Sequence, residues 1–138
     1  MKVLFDTNIL LDVIEKREPH FSDSYQVFIK SAKREIEAIV GAGSITDIYY
    51  VINRNCKDVK QALGYIIDMT KIVTPVDTKA ADIHEAIRLD FPDFEDAVVA
   101  ATAARENVDY IITRNTADFV KSPVPAIQPL GFLDKVSE

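Results

Sequence analysis

Several residue types are scarce in this 138-residue chain, and each scarcity excludes a kind of site. Cys56 is the only cysteine, so an internal disulfide and a thiolate metal site are both excluded. The two histidines, His20 and His84, are isolated and form no zinc-binding pattern. The four glycines form no phosphate-binding loop, and no Ser–His–Asp or Cys–His motif is present. The remaining candidates for chemistry are the carboxylates.

Long hydrophobic runs are also missing. No apolar stretch approaches the ~20 residues that span a bilayer, which argues against a membrane protein. The N-terminus lacks the charged, apolar and small-residue regions of a signal peptide. With one cysteine, these features favour a reducing, cytoplasmic setting. The length predicts one domain over residues 1–138 with one hydrophobic core.

The net charge of −6 argues against tight, sequence-indifferent binding to a nucleic-acid backbone. Five aspartates supply most of that charge, and the remainder of the chain is close to neutral. They are Asp6, Asp47, Asp93, Asp96 and Asp118. Bound cations would mask those five charges. A phosphodiester substrate is therefore compatible with the acidic composition.

Hydrophobic periodicity predicts strands that alternate with helices. The predicted strands are residues 3–5, 36–40, 71–76, 109–113 and 126–128. The predicted helices are residues 9–15, 21–32, 44–52, 59–67, 78–89 and 94–106, with a last turn near 132–133. We expect Ser44 to cap the third helix, Pro75 to place its strand at a sheet edge, and Ile83 and Ile87 to face inward. The alternation predicts a three-layer α/β/α domain with a mostly parallel sheet.

Two predicted strands end in polar residues. Val3, Leu4 and Phe5 lead directly into Asp6, Thr7 and Asn8, and the strand at residues 109–113 ends in Thr113, Arg114 and Asn115. Because parallel strands deliver their carboxyl ends to one edge of the sheet, both polar groups are expected on the same rim. An acid directly after a buried strand has little reason in packing to be there.

Further acids are predicted to approach this rim, and each has a structural alternative. Asp47 follows Ser44 at the spacing of a capping box, although the usual residue there is Glu or Gln. Asp93 and Asp96 share one face of an Ala-rich helix, where Asp93 could instead be the N-cap. Asp118 could be a turn residue.

Taken together, these carboxylates predict a metal site. Several carboxylates without counter-charge repel one another, and a hard divalent cation removes the conflict. Oxygen-only ligands favour Mg²⁺ or Mn²⁺. Such an ion activates water for attack on phosphorus, which predicts hydrolysis of a phosphodiester.

Three segments carry a resemblance to a known family. Residues 5–10 (FDTNIL), 93–97 (DFEDA) and 111–119 (IITRNTADF) resemble the signatures of PIN-domain ribonucleases. The length is similar to that of the VapC-type toxins of toxin–antitoxin pairs. The resemblance implies a PIN-like fold, an RNA substrate, an antitoxin partner and a homodimer. Tyr49, Tyr50 and Tyr65 are candidates for a subunit contact.

Site roles follow from the resemblance by position. Asp6, Asp96 and Asp118 match metal-binding acids, and Asp93 matches an additional acid. Asp47 takes the second acidic position, where many members have Glu. The resemblance implies positioning roles for four polar residues of the rim: Thr7, Asn8, Thr113 and Asn115. The chain itself adds Ser44 and Arg114 as candidates for a positioning role or a substrate contact. Arg114 is the candidate for a phosphate contact.

Two other functions remain open from the sequence. One is a catalytically weakened PIN-like module that only binds RNA or a partner, because Asp47 replaces Glu. The other is a haloacid-dehalogenase-like phosphatase, whose first strand also ends in Asp. That class expects a second acid two residues later, where this chain has Asn8.

Overall fold

The first strand, β1, lies at the centre of a five-stranded sheet with the order β3-β2-β1-β4-β5. The computed structural model describes residues 1–137. The strands are β1 Lys2–Phe5, β2 Glu37–Gly41, β3 Thr74–Val76, β4 Tyr110–Ile112 and β5 Ala126–Ile127. The α-helices are α1 Thr7–Ile14, α2 Phe21–Ala32, α3 Ala42–Cys56, α4 Val59–Thr70, α5 Ala80–Leu89, α6 Phe94–Arg105 and α7 Pro129–Val136. A short 3₁₀ helix covers Thr116–Phe119.

All four strand pairings are parallel, which confirms the predicted α/β class. Phe5 is paired in register with Ile112, the last residue of β4. The residues that follow β1 and β4 therefore leave the sheet at the same edge. Pro75 lies in β3, an edge strand, as its missing amide hydrogen predicted.

Successive residues of β1 pack on opposite faces of the sheet. Val3 and Phe5 join a core with α1 to α4 and α7, whereas Leu4 joins a core with α6 and the 3₁₀ helix. All three are at most 2% exposed, so the strand is buried on both faces. The two cores establish the three layers and make the base of Asp6 a rigid part of the molecule.

The Ala-rich helix α6 packs closely on the second face because its inward residues are small. Ala100 and Ala103 lie against β1 and β4, and Ala97 and Ala101 contact Ala86 of α5. Close packing of this kind holds the N-terminus of α6 near the sheet edge. No helix within residues 1–137 is long and apolar enough to cross a membrane.

The start of α3 differs from the prediction. The helix begins at Ala42 with Gly41 as N-cap, and it makes no side-chain capping bond. The prediction that Ser44 caps α3 is wrong, and so is a capping box between Ser44 and Asp47. The chain passes directly from β2 into α3, and the helix continues to Cys56 instead of ending near Ile52.

The inward face of α5 also differs. Ile83 and Ile87 are 37% and 63% exposed, so the prediction that they face inward is wrong. Asp82 is buried in their place because its carboxylate accepts hydrogen bonds from Arg105 Nε at 2.8 Å and Nη2 at 3.0 Å. An ion pair between α5 and α6 thus replaces part of the expected apolar contact.

Candidate functional site

Asp6 occupies the step from β1 to α1, where the chain turns out of the sheet. Its carboxylate caps α1, with Oδ1 accepting from the Thr7 amide at 2.8 Å. Oδ2 accepts from the hydroxyl of Thr113 at 2.8 Å. The residue is 8% exposed, and its own amide donates to the Ile112 carbonyl at 3.0 Å. Each carboxylate oxygen therefore accepts a hydrogen bond, one from Thr7 at the start of α1 and one from Thr113 just after β4.

The polar residues after the two strands form one network around Asp6. The Asn8 amide donates to Thr113 Oγ1 at 3.2 Å and to Asp6 Oδ2 at 3.4 Å. The backbone amide of Asn115 donates to Thr113 Oγ1 at 3.1 Å. The structure brings Thr7, Asn8, Thr113 and Asn115 together at the predicted rim. Thr113 is the centre of the network and is fully buried.

The acids of α6 lie at the start of that helix. Asp93 is the N-cap, and its Oδ1 accepts from the Asp96 amide at 3.1 Å. The structural alternative for Asp93 is thus realised. Its charge nevertheless acts on Asp96, since it is the strongest of the neighbouring charges that raise the pKa of that residue.

Acids that are distant in sequence lie close enough for their charges to act on one another. Burial, then the charges of Asp93, Asp6, Asp118 and Glu95, raise the pKa of Asp96 from 3.8 to about 7. Burial also raises the pKa of Asp6, partly offset by the hydrogen bonds from Thr113 and Thr7, and the Asp118 charge raises it further. Asp96 and Asp118 also line one pocket, and Asp6 is near enough for its charge to act on Asp96.

Glu95 is an acid of this environment that the sequence reasoning did not select. Burial and the charge of Asp47 raise its pKa. The charges of Asp93 and Asp6 act on it as well. Asp47 and Glu95 line one shallow pocket between α3 and α6, together with Ser44. The signal was available, because Glu95 directly precedes Asp96 in the first turn of α6.

Asp47 lies further along its helix than predicted. Because α3 begins at Ala42, Asp47 is in the second turn and not the first. This position lets its carboxyl reach Glu95 across the gap between the two helices.

Arg114, the predicted phosphate contact, forms an ion pair with a residue of α1. Its Nε donates to Asp12 Oδ2 at 2.7 Å, and Nη2 donates to Oδ1 at 3.2 Å. Asp12 is fully buried in α1 and also accepts from Ser24 Oγ at 3.0 Å. The guanidinium is thus the counter-charge of a buried carboxylate, and its contact with a phosphate stays a prediction.

The carboxylates at this edge are suitable ligands for a hard cation, although they are not arranged around an ion-sized space. Every acid at the edge offers carboxylate oxygens, the ligands that Mg²⁺ and Mn²⁺ prefer. Within residues 1–137, no three acidic, histidine or cysteine side chains stand in an arrangement that could hold a metal ion as placed. The carboxylates share one environment and repel one another, and no basic side chain forms an ion pair with Asp6, Asp96 or Asp118 in that part of the chain.

Fold and site together define a three-layer α/β domain with a parallel sheet and an acidic carboxyl edge. A family model described as PIN domain matches residues 2–117, which is most of the chain. The chain therefore belongs to the PIN-domain family, as its sequence motifs implied.

Individual proteins are similar over nearly the whole length. Ribonuclease VapC1 of Aquifex aeolicus (strain VF5) is 25% identical over 139 residues, which cover 97% of this chain and 94% of that protein. The structure of VapBC2 from Rickettsia felis, bound to a DNA fragment from its promoter, aligns with a TM-score of 0.71 at 15% identity, covering 93% of this chain and 98% of that one. The sarcin-ricin loop cleaving toxin VapC20 of Mycobacterium tuberculosis aligns with a TM-score of 0.63 at 12% identity, covering 79% and 86%.

Proposed function

We propose that this protein is a ribonuclease that hydrolyses RNA phosphodiester bonds with Mg²⁺ or Mn²⁺ and is the toxin of a toxin–antitoxin pair. The mutual repulsion of Asp6, Asp96 and Asp118 at one sheet edge carries the proposal. A divalent cation would remove this repulsion. The name of one similar protein, a ribonuclease, supports RNA as the substrate, and another similar protein is a sarcin-ricin loop cleaving toxin.

Asp6, Asp96 and Asp118 would hold the ion, with Asp93 beside them. When bound, such an ion lowers the pKa of its water and stabilises the departing oxyanion. Thr113, Thr7 and Asn8 fix the orientation of the Asp6 carboxylate through their hydrogen bonds.

Asp47 acts in this proposal through Glu95. The two carboxyls line one pocket, and the charge of Asp47 raises the pKa of Glu95. Asp47 takes the second acidic position of the family, and the charges of Asp47 and Asp6 both act on Glu95. This arrangement also explains how Asp can serve where many relatives have Glu.

A cleavage assay with an isosteric variant tests the proposal. We expect the protein to cut single-stranded RNA with Mn²⁺, and we expect EDTA to stop the reaction. Asp6→Asn keeps the size of the side chain while removing its charge, so cleavage should fall below detection. Asp134→Asn, an exposed aspartate of α7, is the matched control and should cut like the wild type. Cleavage that persists in Asp6→Asn would contradict the proposal.

A catalytically weakened PIN domain is the second candidate. The sequence motivates it, because Asp47 takes a position where many family members have Glu. Calorimetric titration with Mn²⁺ separates the two candidates, because a nuclease site binds the ion in the wild type and loses it in Asp6→Asn. Wild-type protein that binds no Mn²⁺ would favour the binding module.

An antitoxin and a second copy of the chain are the proposed protein partners. Large apolar side chains remain exposed on two helical surfaces. They are Tyr50, Val59, Leu63, Tyr65 and Ile67 on α3 and α4, and Ile83 and Ile87 on α5. Exposed apolar surface of this kind is typical of protein contacts. Light scattering on Leu63→Glu and Ile87→Glu would show whether either surface supports a dimer, and a mass that neither variant changes would argue against both.

A further inference from the structure

A small pocket lies directly beside two of the proposed metal-binding acids. Asp96 and Asp118 form part of its wall, and the rest comes from the segment before α6 and from the 3₁₀ helix region. The non-acidic lining residues are Phe91, Pro92, Ala117, Val120 and Lys121. The proposed mechanism uses the acids and leaves this space unexplained.

The size of the pocket suits a single ring system. Its volume is ≈ 150 Å³. One water takes up ~30 Å³ of the liquid, and sites for complete drug-sized ligands measure ~300–1,000 Å³. The pocket is therefore too large for a lone solvent molecule and too small for a whole nucleotide.

One wall of the pocket is an aromatic ring held in place, and Pro92, Ala117 and Val120 add further apolar surface. Phe91 packs edge-on against the buried Phe119, with ring centroids 6.2 Å apart and an interplanar angle of 78°. This contact fixes the orientation of the Phe91 ring. Val120, which is 82% exposed, forms part of the rim. A preformed aromatic wall of this kind favours a flat, apolar-faced ligand.

The charges at the pocket disfavour an anion. Three carboxylates line it, namely Asp93, Asp96 and Asp118. The ammonium of Lys121 donates to the Asp90 carbonyl at 2.8 Å, which turns this cation to the backbone of a neighbouring turn. A neutral planar ring therefore fits better than a phosphate.

We propose that this pocket receives one unpaired nucleobase of the RNA, next to the phosphate that is cut. The inference rests on the proposed nuclease function and defines its substrate class. A base in a duplex is paired and stacked, so it cannot enter without being flipped out. Single-stranded loops present splayed bases that stack on aromatic side chains. The substrate is thus RNA that is single-stranded at the cut.

Abasic substitution tests the pocket separately from the chemistry. A single-stranded RNA that the wild type cuts at one bond is compared with versions that carry one abasic ribose at each position around that bond. We expect one abasic position to slow cleavage about tenfold, the scale of a single base–aromatic stack. Abasic sites elsewhere should have little effect.

Filling the pocket should abolish the difference in cleavage rate between normal and abasic RNA. Ala117→Leu adds bulk at an exposed lining residue, and Ala81→Leu makes the same change on the exposed surface of α5. We expect Ala117→Leu to cut the normal and abasic RNAs at equal, reduced rates while binding Mn²⁺ as the wild type does. Ala81→Leu should keep the wild-type discrimination.

The outcomes separate the two proposals. Wild-type cleavage that no abasic position slows would overturn the base pocket and leave the nuclease intact, as would discrimination retained in Ala117→Leu. If no RNA is cut, the nuclease proposal fails, and fluorescence of 2-aminopurine placed at each position in turn, with Ca²⁺ present, still tests the pocket. Quenching that Ala117→Leu abolishes supports it, and unchanged fluorescence overturns it.

Discussion

Arg114 and Asp12 form a two-point ion pair between residues 102 positions apart in sequence. The pair links the segment after β4 to α1. The Arg114 amide also donates to Asn8 Oδ1 at 3.4 Å, beside Asp6. Since Asp118 follows Arg114 by four residues, this pair anchors the segment that leads from β4 to Asp118. A buried charge in α1 thus supports the geometry of the acidic edge.

Removing the Asp12 charge should destabilise the fold. In Asp12→Asn, the buried guanidinium loses its counter-charge, and breaking a buried pair costs about 3 kcal/mol where one partner retains some exposure. The Arg114 side chain is 25% exposed, so we expect a cost at the lower end of the range for breaking a buried ion pair. The measurement is the midpoint of urea unfolding. Asp68→Asn removes a well-exposed pair with Lys71 and should barely move the midpoint, and equal shifts in both variants would contradict the structural role.

The Thr113 hydroxyl should matter for metal binding. Thr113→Val keeps the shape but removes the 2.8 Å hydrogen bond to Asp6, so Oδ2 of the carboxylate keeps only the longer contact from Asn8. Loss of a group that orients a ligand lowers metal affinity about 10–100-fold. Mn²⁺ titration by calorimetry measures the change. Thr113→Ser retains the hydroxyl and should stay close to wild type, whereas equal losses in Ser and Val variants would point to packing instead.

Asp96 should make the metal-free protein less stable as pH rises. Its pKa in the folded state is about 7, raised from 3.8, so the folded state binds more protons than the unfolded state between those values. The stability due to protonated Asp96 is complete below about pH 4 and is lost as pH rises through 7. The loss is about 1 kcal/mol after allowance for solvent screening at this partly exposed carboxyl.

Thermal unfolding in EDTA at pH 5 and pH 8 checks this dependence. Asp96→Asn lacks the titrating group, so its unfolding temperature should exceed that of the wild type by more at pH 8 than at pH 5. Mg²⁺ should restore wild-type stability at pH 8. A variant whose advantage is the same at both pH values would show that Asp96 does not titrate in this range.

Asp47 and Glu95 should behave as one unit in catalysis. Because the two carboxyls line one pocket and the charge of Asp47 acts on Glu95, Asp47→Asn and Glu95→Gln should each slow RNA cleavage, and the double variant should cost less than the two effects added. Single-turnover rates with Mn²⁺ complete the double-mutant cycle. Strictly additive effects would show that the two acids act independently.

The sequence predicted the elements that depend on local pattern. The buried run of β1, the edge position of Pro75 and the meeting of Asp6 with Thr113 all followed from periodicity and from the geometry of parallel strands. The features it missed depend on partners that are distant in sequence. Nothing near Asp12 indicates that its counter-charge is Arg114.

Two further misses have physical causes. Ile83 and Ile87 match a helical apolar face, but α5 instead turns the neighbouring face inward, which carries Ala86 and the Asp82 that pairs with Arg105. The prediction left residues 41–43 between a strand and a helix, whereas Gly41 belongs to β2 and the chain enters α3 directly at Ala42. Glu95 was missed because only the spacing of Asp93 and Asp96 was considered.

The two outer strands limit how another polypeptide can join this molecule. β3 has three residues and contains Pro75, which has no amide hydrogen to offer, and β5 has only two residues. A partner chain that extends the sheet would find few backbone groups to pair with at either margin. Recruitment of any protein must therefore use side chains on the helical exterior, where single substitutions can change the choice of partner without touching the sheet.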